Sequence, residues 1–203
     1  VKDGQPSRRE RQAQQTREEI LGAARRLFAE RGYTRTSVRD IAEAAGVSAQ
    51  TVYDSVGPKQ ALVARLNDVI DIEAGIPSIA RAVAESSDPA AIVATPARIT
   101  RSILEHCGDI VRALITGAAA EPELEAVLAD GQRRHVEGAK TIVELLEAKD
   151  ALDPSIDRRA AAETLAAISD IRLALVLREG YGWSFDRIER WIAATSQALL
   201  LRS

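Results

Sequence analysis

The sequence predicts an all-α protein with two parts, an N-terminal three-helix unit built on a helix-turn-helix and a larger C-terminal helical bundle. Three observations carry this. Hydrophobic residues make up 46% of the 203 residues, enough to bury a core, while aromatics are only 3%; an alanine-rich, aromatic-poor core favours helices over a sandwich or barrel. Apolar residues recur three and four apart through most of the chain, and no segment alternates with period two for long enough to be a strand. Gly and Pro, at 12 and 7, fall mostly between the helical runs, where they punctuate. The expected division is a disordered tail over residues 1–7, a helix-turn-helix domain over 8–57 and a helical body over 58–203.

The elements follow in order. Lys2, Asp3, Gly4, Gln5, Pro6 and Ser7 offer nothing to bury. A long helix then ends near Arg31, with Ile20, Leu21, Ala24, Leu27 and Phe28 as its apolar stripe and Gly32 as its stop. Thr36 or Ser37 caps a short second helix; Ser37 with Asp40 has the form of a capping box. Gly46 makes a turn, and Ser48 caps a third helix to about Asp54. Gly57-Pro58 opens a fourth, read as continuous to Ala74. Ser78–Glu85 is a short helix. Pro89–Cys107 is crossed by Pro96 and is either kinked or two pieces. Asp109–Ala120 is another helix, Pro122 starts one that ends near Lys149, and Asp153-Pro154 caps one running unbroken to Glu179. Ser184 caps the last, through Leu201.

The single cysteine, Cys107, excludes a disulfide framework and fits a reducing compartment such as the cytoplasm. No apolar run is long enough to span a bilayer, and no signal-peptide pattern opens the chain. Net charge is −3, but residues 1–60 hold eleven Lys and Arg against eight Asp and Glu, whereas residues 61–203 hold sixteen against twenty-two. A basic head on an acidic body can place positive charge on one surface.

Two short helices around a glycine turn, Ser37–Ala44 and Ser48–Asp54, form a helix-turn-helix. Its second helix has the width to enter a DNA major groove. Val47 and Val52 face inward, leaving Ala49, Gln50, Thr51 and Tyr53 outward. Ala49 lets the backbone approach the bases, Gln50 can read a base edge, and Thr51 and Tyr53 can donate hydroxyls to phosphate. Thr36, Ser37, Arg39, Ser48 and Lys59 complete the candidate DNA-binding set, with Thr36 and Lys59 at helix N-termini that favour phosphate. The basic run Arg8, Arg9 and Arg11 is open to two readings, a solvated tail or an arm along DNA.

The run Ile20-Leu-x-Ala-Ala-x-x-Leu-Phe-Ala-Glu-x-Gly-Tyr33, then Thr36-Ser37-Val38, Ile41-Ala42, Ala45-Gly46-Val47-Ser48, Thr51-Val52-Tyr53 and Lys59 resembles the TetR family of transcriptional regulators over about residues 17–65. One departure is visible. The family often carries His or Tyr, then Phe, two and three positions after the tyrosine, where this chain has Ser55 and Val56. That removes an aromatic anchor and with it a candidate phosphate contact. The resemblance implies a cytoplasmic homodimer, joined through the last two helices, that represses by placing one helix-turn-helix per subunit in a near-palindromic operator. It further implies a small-molecule effector held by the C-terminal helices.

In the body, both histidines fall on apolar stripes. His135 lies among Leu124, Val127, Leu128, Ile142, Leu145 and Leu146, with Gly131 and Gly138 a turn either side. His106 shares a face with Ile99, Ile103 and Ile110. Each is either a satisfied core histidine or a polar handle in a ligand pocket. Arg172 reads as mid-helix on the face of Leu165, Ile168, Leu175 and Val176, and so as a buried guanidinium needing an ion pair or an anionic ligand. The candidate ligand-binding residues are Leu66, Ile70, Ile103, His106, Ile110, Leu114, His135, Ile142 and Arg172. Residues 54–180 contain no Phe, Tyr or Trp, which favours an aliphatic or acyl-type effector over a planar cation held by aromatic faces. A metal site from His106, Cys107 and His135 lacks ligand-spacing support, and no cofactor or membrane partner is expected. Two alternatives stay beside the regulator reading: a helical dimer that binds DNA without an effector, and an enzyme using the body cavity.

Overall fold

A computed structural model describes residues 7–202 and is helical throughout, with no strand among the described residues. The chain divides into two compact units.

The first unit comprises the residues up to Val69 together with Asp109–Leu128. Helix α1 spans Arg8–Arg31, α2 Val38–Ala44, α3 Ala49–Ser55 and α4 Lys59–Asn67. Ser7, expected in the tail, is instead the N-cap of α1: its hydroxyl accepts from Glu10 N–H while the Glu10 carboxylate accepts from Ser7 N–H. A reciprocal pair of this kind satisfies two donors that a helix start leaves open. The other residues of the expected tail lie outside the described residues. Helices α2, α3 and α4 all pack on α1, burying its Ile20, Ala23, Ala24, Leu27 and Phe28. Gly46 turns α2 into α3 with φ 69°, a left-handed conformation that costs glycine nothing. The unit also contains the end of helix α8 (Thr95–Ala118) and the start of α9 (Pro122–Glu147). Arg25 grips Asp109 with two parallel bonds of 2.6 and 3.1 Å. Gly117 meets Tyr33 so closely that an added Cβ would lie 2.5 Å from Leu124 Cδ1 and 3.1 Å from the Tyr33 ring.

The second unit comprises Ile70–Gly108 and Ala129–Ser203. It holds α5 (Ile70–Glu73), α6 (Ile76–Glu85), α7 (Pro89–Val93), α10 (Arg158–Ile168), α11 (Ile171–Leu175), a π-helical turn over Val176–Gly180, and α12 (Phe185–Leu200). Its core is aliphatic: Ile92, Val93, Ile142, Val143, Leu146, Leu165 and Leu200 are buried together. Arg101 ties α8 to α12 through Asp186 and Glu189 at 2.6 and 2.7 Å.

Several expected boundaries move. The helix expected from Pro58 to Ala74 breaks after Asn67, where Val69 N–H turns back to the Leu66 carbonyl. Pro96 separates two pieces, sitting in the first turn of α8, where its missing N–H costs nothing. No break occurs at Gly108; α8 continues because Leu104, Cys107, Ile110, Val111 and Leu114 keep one buried stripe across it, against a glycine cost of only about 1 kcal/mol. The helix expected over 154–179 is cut at Ser169-Asp170. Ser169 Oγ bonds back to the Leu165 carbonyl at 2.6 Å, and the Asp170 carboxylate accepts from Arg172 N–H at 2.7 Å. Thr100 Oγ1 donates to the Ser169 carbonyl at 2.8 Å, so both new helix ends are satisfied from side chains.

Candidate nucleic-acid interface

The interface is built from local caps. Ser37 Oγ accepts from Asp40 N–H, while the Asp40 carboxylate takes the Ser37 N–H at 2.8 Å and its hydroxyl at 2.6 Å. These bonds hold the Asp40 carboxyl below the usual carboxylate range. Ser48 Oγ accepts from Thr51 N–H at 3.0 Å and shares a hydrogen bond with the Thr51 hydroxyl at 2.8 Å. Both serines therefore spend bonding capacity on starting their helices at a defined angle.

On α3, Val52 is buried, Ala49 and Thr51 are half-buried, and Gln50 and Tyr53 are exposed, Tyr53 by 50%. This is the outward face the spacing predicts, and exposed Arg39 stands on α2. Gln50 is not a free side chain. Its Nε2 donates to Asp54 Oδ1 at 2.8 Å, an i,i+4 pair along one helix face. An amide nitrogen has two hydrogens, so Asp54 holds one while the other, with Oε1, stays available for the two edge atoms of an adenine. Sequence reasoning passed over Asp54, although its spacing from Gln50 was visible.

Lys59 opens α4 as expected. Its ammonium donates to the Tyr33 carbonyl at 3.2 Å and lies 4.0 Å from the Tyr33 ring centroid, a cation–π contact that fixes where the charge stands. Tyr33 itself is buried; burial, then the nearby Glu121 carboxylate, pushes its phenol above the ordinary range. Arg17 was also passed over. Its Nε donates to the Ser55 carbonyl at 3.2 Å and its Nη1 to Gln14 at 3.3 Å, pinning α1 to the end of α3.

One candidate is corrected. Thr36 is 1% exposed, and its hydroxyl donates to the Gly32 carbonyl at 2.9 Å and the Leu27 carbonyl at 3.3 Å. It closes the end of α1 against the turn and presents nothing at the surface.

The nine candidate ligand-binding residues do not gather in one unit. Leu66, Ile110 and Leu114 are buried in the first; Ile70, Ile103, His106, His135, Ile142 and Arg172 belong to the second. Ile142 is part of the aliphatic core, and Ile103 is half-buried. His135, half-buried, donates from Nε2 to the Ala166 carbonyl at 2.8 Å, since a carbonyl can only accept. His106 departs from the expected core position: it is exposed in the single chain, with Nδ1 2.9 Å from the Ser102 carbonyl on its own helix. Arg172 is neither mid-helix nor buried. It lies in the first turn of α11 with its side chain 46% exposed, 3.7 Å from Asp170 and 3.2 Å from Gln132 Oε1. The new helix start at Asp170 rotates it off the apolar face.

Comparison with known proteins bears on the head. The profile of bacterial regulatory proteins of the tetR family matches residues 20–66. The chain belongs to the TetR family. The HTH-type transcriptional regulator TtgR of Pseudomonas putida is 44% identical over 61 residues, covering 30% of this chain and 29% of that relative. Solved TetR-like structures extend the likeness in fold along the chain. NalD of Pseudomonas aeruginosa, a secondary repressor of a multidrug efflux pump, matches with TM-score 0.75 and 21% identity over 94% of this chain and 99% of its own. A transcriptional regulator from Saccharomonospora viridis, in complex with choline, matches with TM-score 0.76 and 18% identity over 94% and 100%. Among the described residues no helix is long and apolar enough to cross a membrane.

Proposed function

We propose that this TetR-family chain is a ligand-responsive repressor. In this reading it works in the cytoplasm as a homodimer joined through its last two helices, and a small molecule releases it from a near-palindromic operator. The observation that carries this is the α2–α3 pair: two short helices with hydroxyl caps, an exposed face of Gln50 and Tyr53, and Lys59 held at the start of α4. Arg39, Gln50 and Tyr53 are the surface contacts, with Ala49 admitting the backbone and Thr51 flanking it. Ser37 and Ser48 act chiefly as caps. The enzyme alternative is set aside because the family consists of regulators.

The effector binds among the body helices. An aliphatic core in the second unit, and the absence of aromatic residues over 54–180, support an aliphatic or acyl-type compound. His135 is the preferred polar handle, since Nε2 is committed to Ala166 and Nδ1 is left as the ring's acceptor. His106 and Arg172, exposed in the single chain, are secondary.

Gel shift on the DNA upstream of the chain's own gene, with light scattering for the dimer, tests the first part. A monomer, or equal affinity for any duplex at physiological salt, overturns it. Calorimetry against fatty-acyl compounds and planar cations tests the second. Release of DNA by a planar cation, with acyl compounds inert, overturns the effector class.

A further inference from the structure

The twelve residues of α1 that precede its first buried residue, Ile20, reach four turns beyond the core. Almost all are exposed, so hydrophobic burial does not hold them in a helix, and short unpacked helices are marginal in water. Polar bonds support them instead: the Ser7–Glu10 capping box, Gln14 to Glu18 at 2.8 Å and Gln15 to Glu19 at 2.9 Å. Arg17 ties this stretch to the Ser55 carbonyl. The extension is thus neither a tail nor a loose arm. It is a helical rod set beside α3.

The rod's charges are segregated. Between it and α3 lies an open cleft of about 690 Å³ lined by Arg8, Arg9, Gln12 and Thr16 of α1 and by Thr51 and Ser55 of α3, with no carboxylate among them. The acids Glu10 and Glu18 line a separate cleft with Arg11 and Arg17. Ser55 matters by its size, because a ring at that position would occupy the space between the helices. Guanidinium forks match phosphate oxygens in pairs, and hydroxyls add single donors.

We propose that this cleft seats a phosphate of the DNA backbone flanking the bases read by α3, gripped by Arg8 and Arg9 with Thr51 and Ser55 as hydroxyl donors. This rests on the DNA-binding reading above. It extends the interface four turns upstream of the helix-turn-helix core, to residues that carry affinity and register but no base preference.

The test is fluorescence anisotropy of the full chain over a salt series, on a duplex selected from a random-sequence pool and on an unrelated duplex. The variants are Arg8→Ala/Arg9→Ala, Arg8→Lys/Arg9→Lys, Arg11→Ala and Gln50→Ala, each checked for unchanged helix content. Each lost contact lowers the slope of log affinity against log salt by about 0.9, so the double alanine variant is expected to lose about 2 in slope, alike on both duplexes. The lysine pair keeps most of the slope, and Arg11→Ala leaves it unchanged. Ser55→Tyr, which fills the cleft while keeping both arginines, is expected to weaken binding alike on both duplexes. An unchanged slope in the double alanine variant, or an equal loss in Arg11→Ala, overturns the proposal while Gln50→Ala still reports base preference. A wild-type chain with no preference for the selected duplex overturns the DNA-binding reading itself.

Discussion

In the head, the polar bonds that define the interface link residues three or four apart: Ser37 with Asp40, Ser48 with Thr51, Gln50 with Asp54. In the body the telling bonds span long stretches of chain: Thr100 to Ser169, Arg101 to Glu189, His135 to Ala166. The first kind can form as soon as a helix does. The second exists only after helices have packed. A local device can be varied in sequence without disturbing the core, which suits a surface that must match DNA. A long-range device couples distant helices, which suits a region that must respond to a ligand.

The largest expected effect tests whether the two cores are of equal weight. Ile20→Ala in the head and Leu165→Ala in the body each remove a side chain that is 0% exposed, and each is expected to cost about 2–5 kcal/mol. Thermal unfolding followed by circular dichroism reads this. A loss under about 1 kcal/mol in either would show that the core there is loosely packed.

Next in size, Gln50→Ala is expected to cost about 1–3 kcal/mol on the preferred duplex and to relax base preference at one position. Asp54→Ala should lose part of the same preference, because the amide is no longer held. Lys59→Ala and Tyr53→Phe should weaken binding alike on all sequences. Competition binding against single-base variants of the operator separates the two patterns, and a uniform loss in Gln50→Ala would contradict the base-reading role.

Local caps give intermediate effects. Ser37→Ala is expected to cost about 0.5–2 kcal/mol of stability, measurable by chemical denaturation. The caps also set a pH dependence. Glu10 and Asp40 have carboxyls held below their ordinary values by Ser7 and Ser37. Their stabilisation is complete above the ordinary carboxylate range and is lost as pH falls through the lowered values in the folded state. Acidification should therefore loosen the starts of α1 and α2 through these groups. The start of α3 is capped by Ser48 with no acidic residue in its first turn, and lacks this response. Amide chemical shifts of Glu10, Asp40 and Thr51 across an acid titration would show it, and Asp40→Asn should flatten the response at α2.

The smallest effect lies at Arg172. Because its side chain is 46% exposed and 3.7 Å from Asp170, Arg172→Ala is expected to change stability by no more than about 0.5 kcal/mol. A loss of several kcal/mol in the dimer would show that a partner buries it.

The head was legible in the sequence because its information is short-range. Ser37, Asp40, Gly46, Ser48 and Val52 each follow from spacing, and the helices they start occupy the expected positions. Thr36 was misplaced because a hydroxyl before a helix start reads the same whether it faces solvent or, as here, closes the preceding helix at Leu27 and Gly32. In the body, helix content was equally legible, since alanine-rich periodic runs determine it locally. Which residues face inward was decided by tertiary structure. The cut at Ser169-Asp170 depends on Thr100, 69 positions away, and it moved Arg172 from an expected apolar face to the surface. His106 was read from a stripe of apolar neighbours, but a stripe gives the face of a helix without saying where its edge meets water. The sequence alone determined helix, cap and turn, because these depend on neighbours within four residues. Burial and polar pairing in the body depend on helices far apart in the chain, so only their packing decided them.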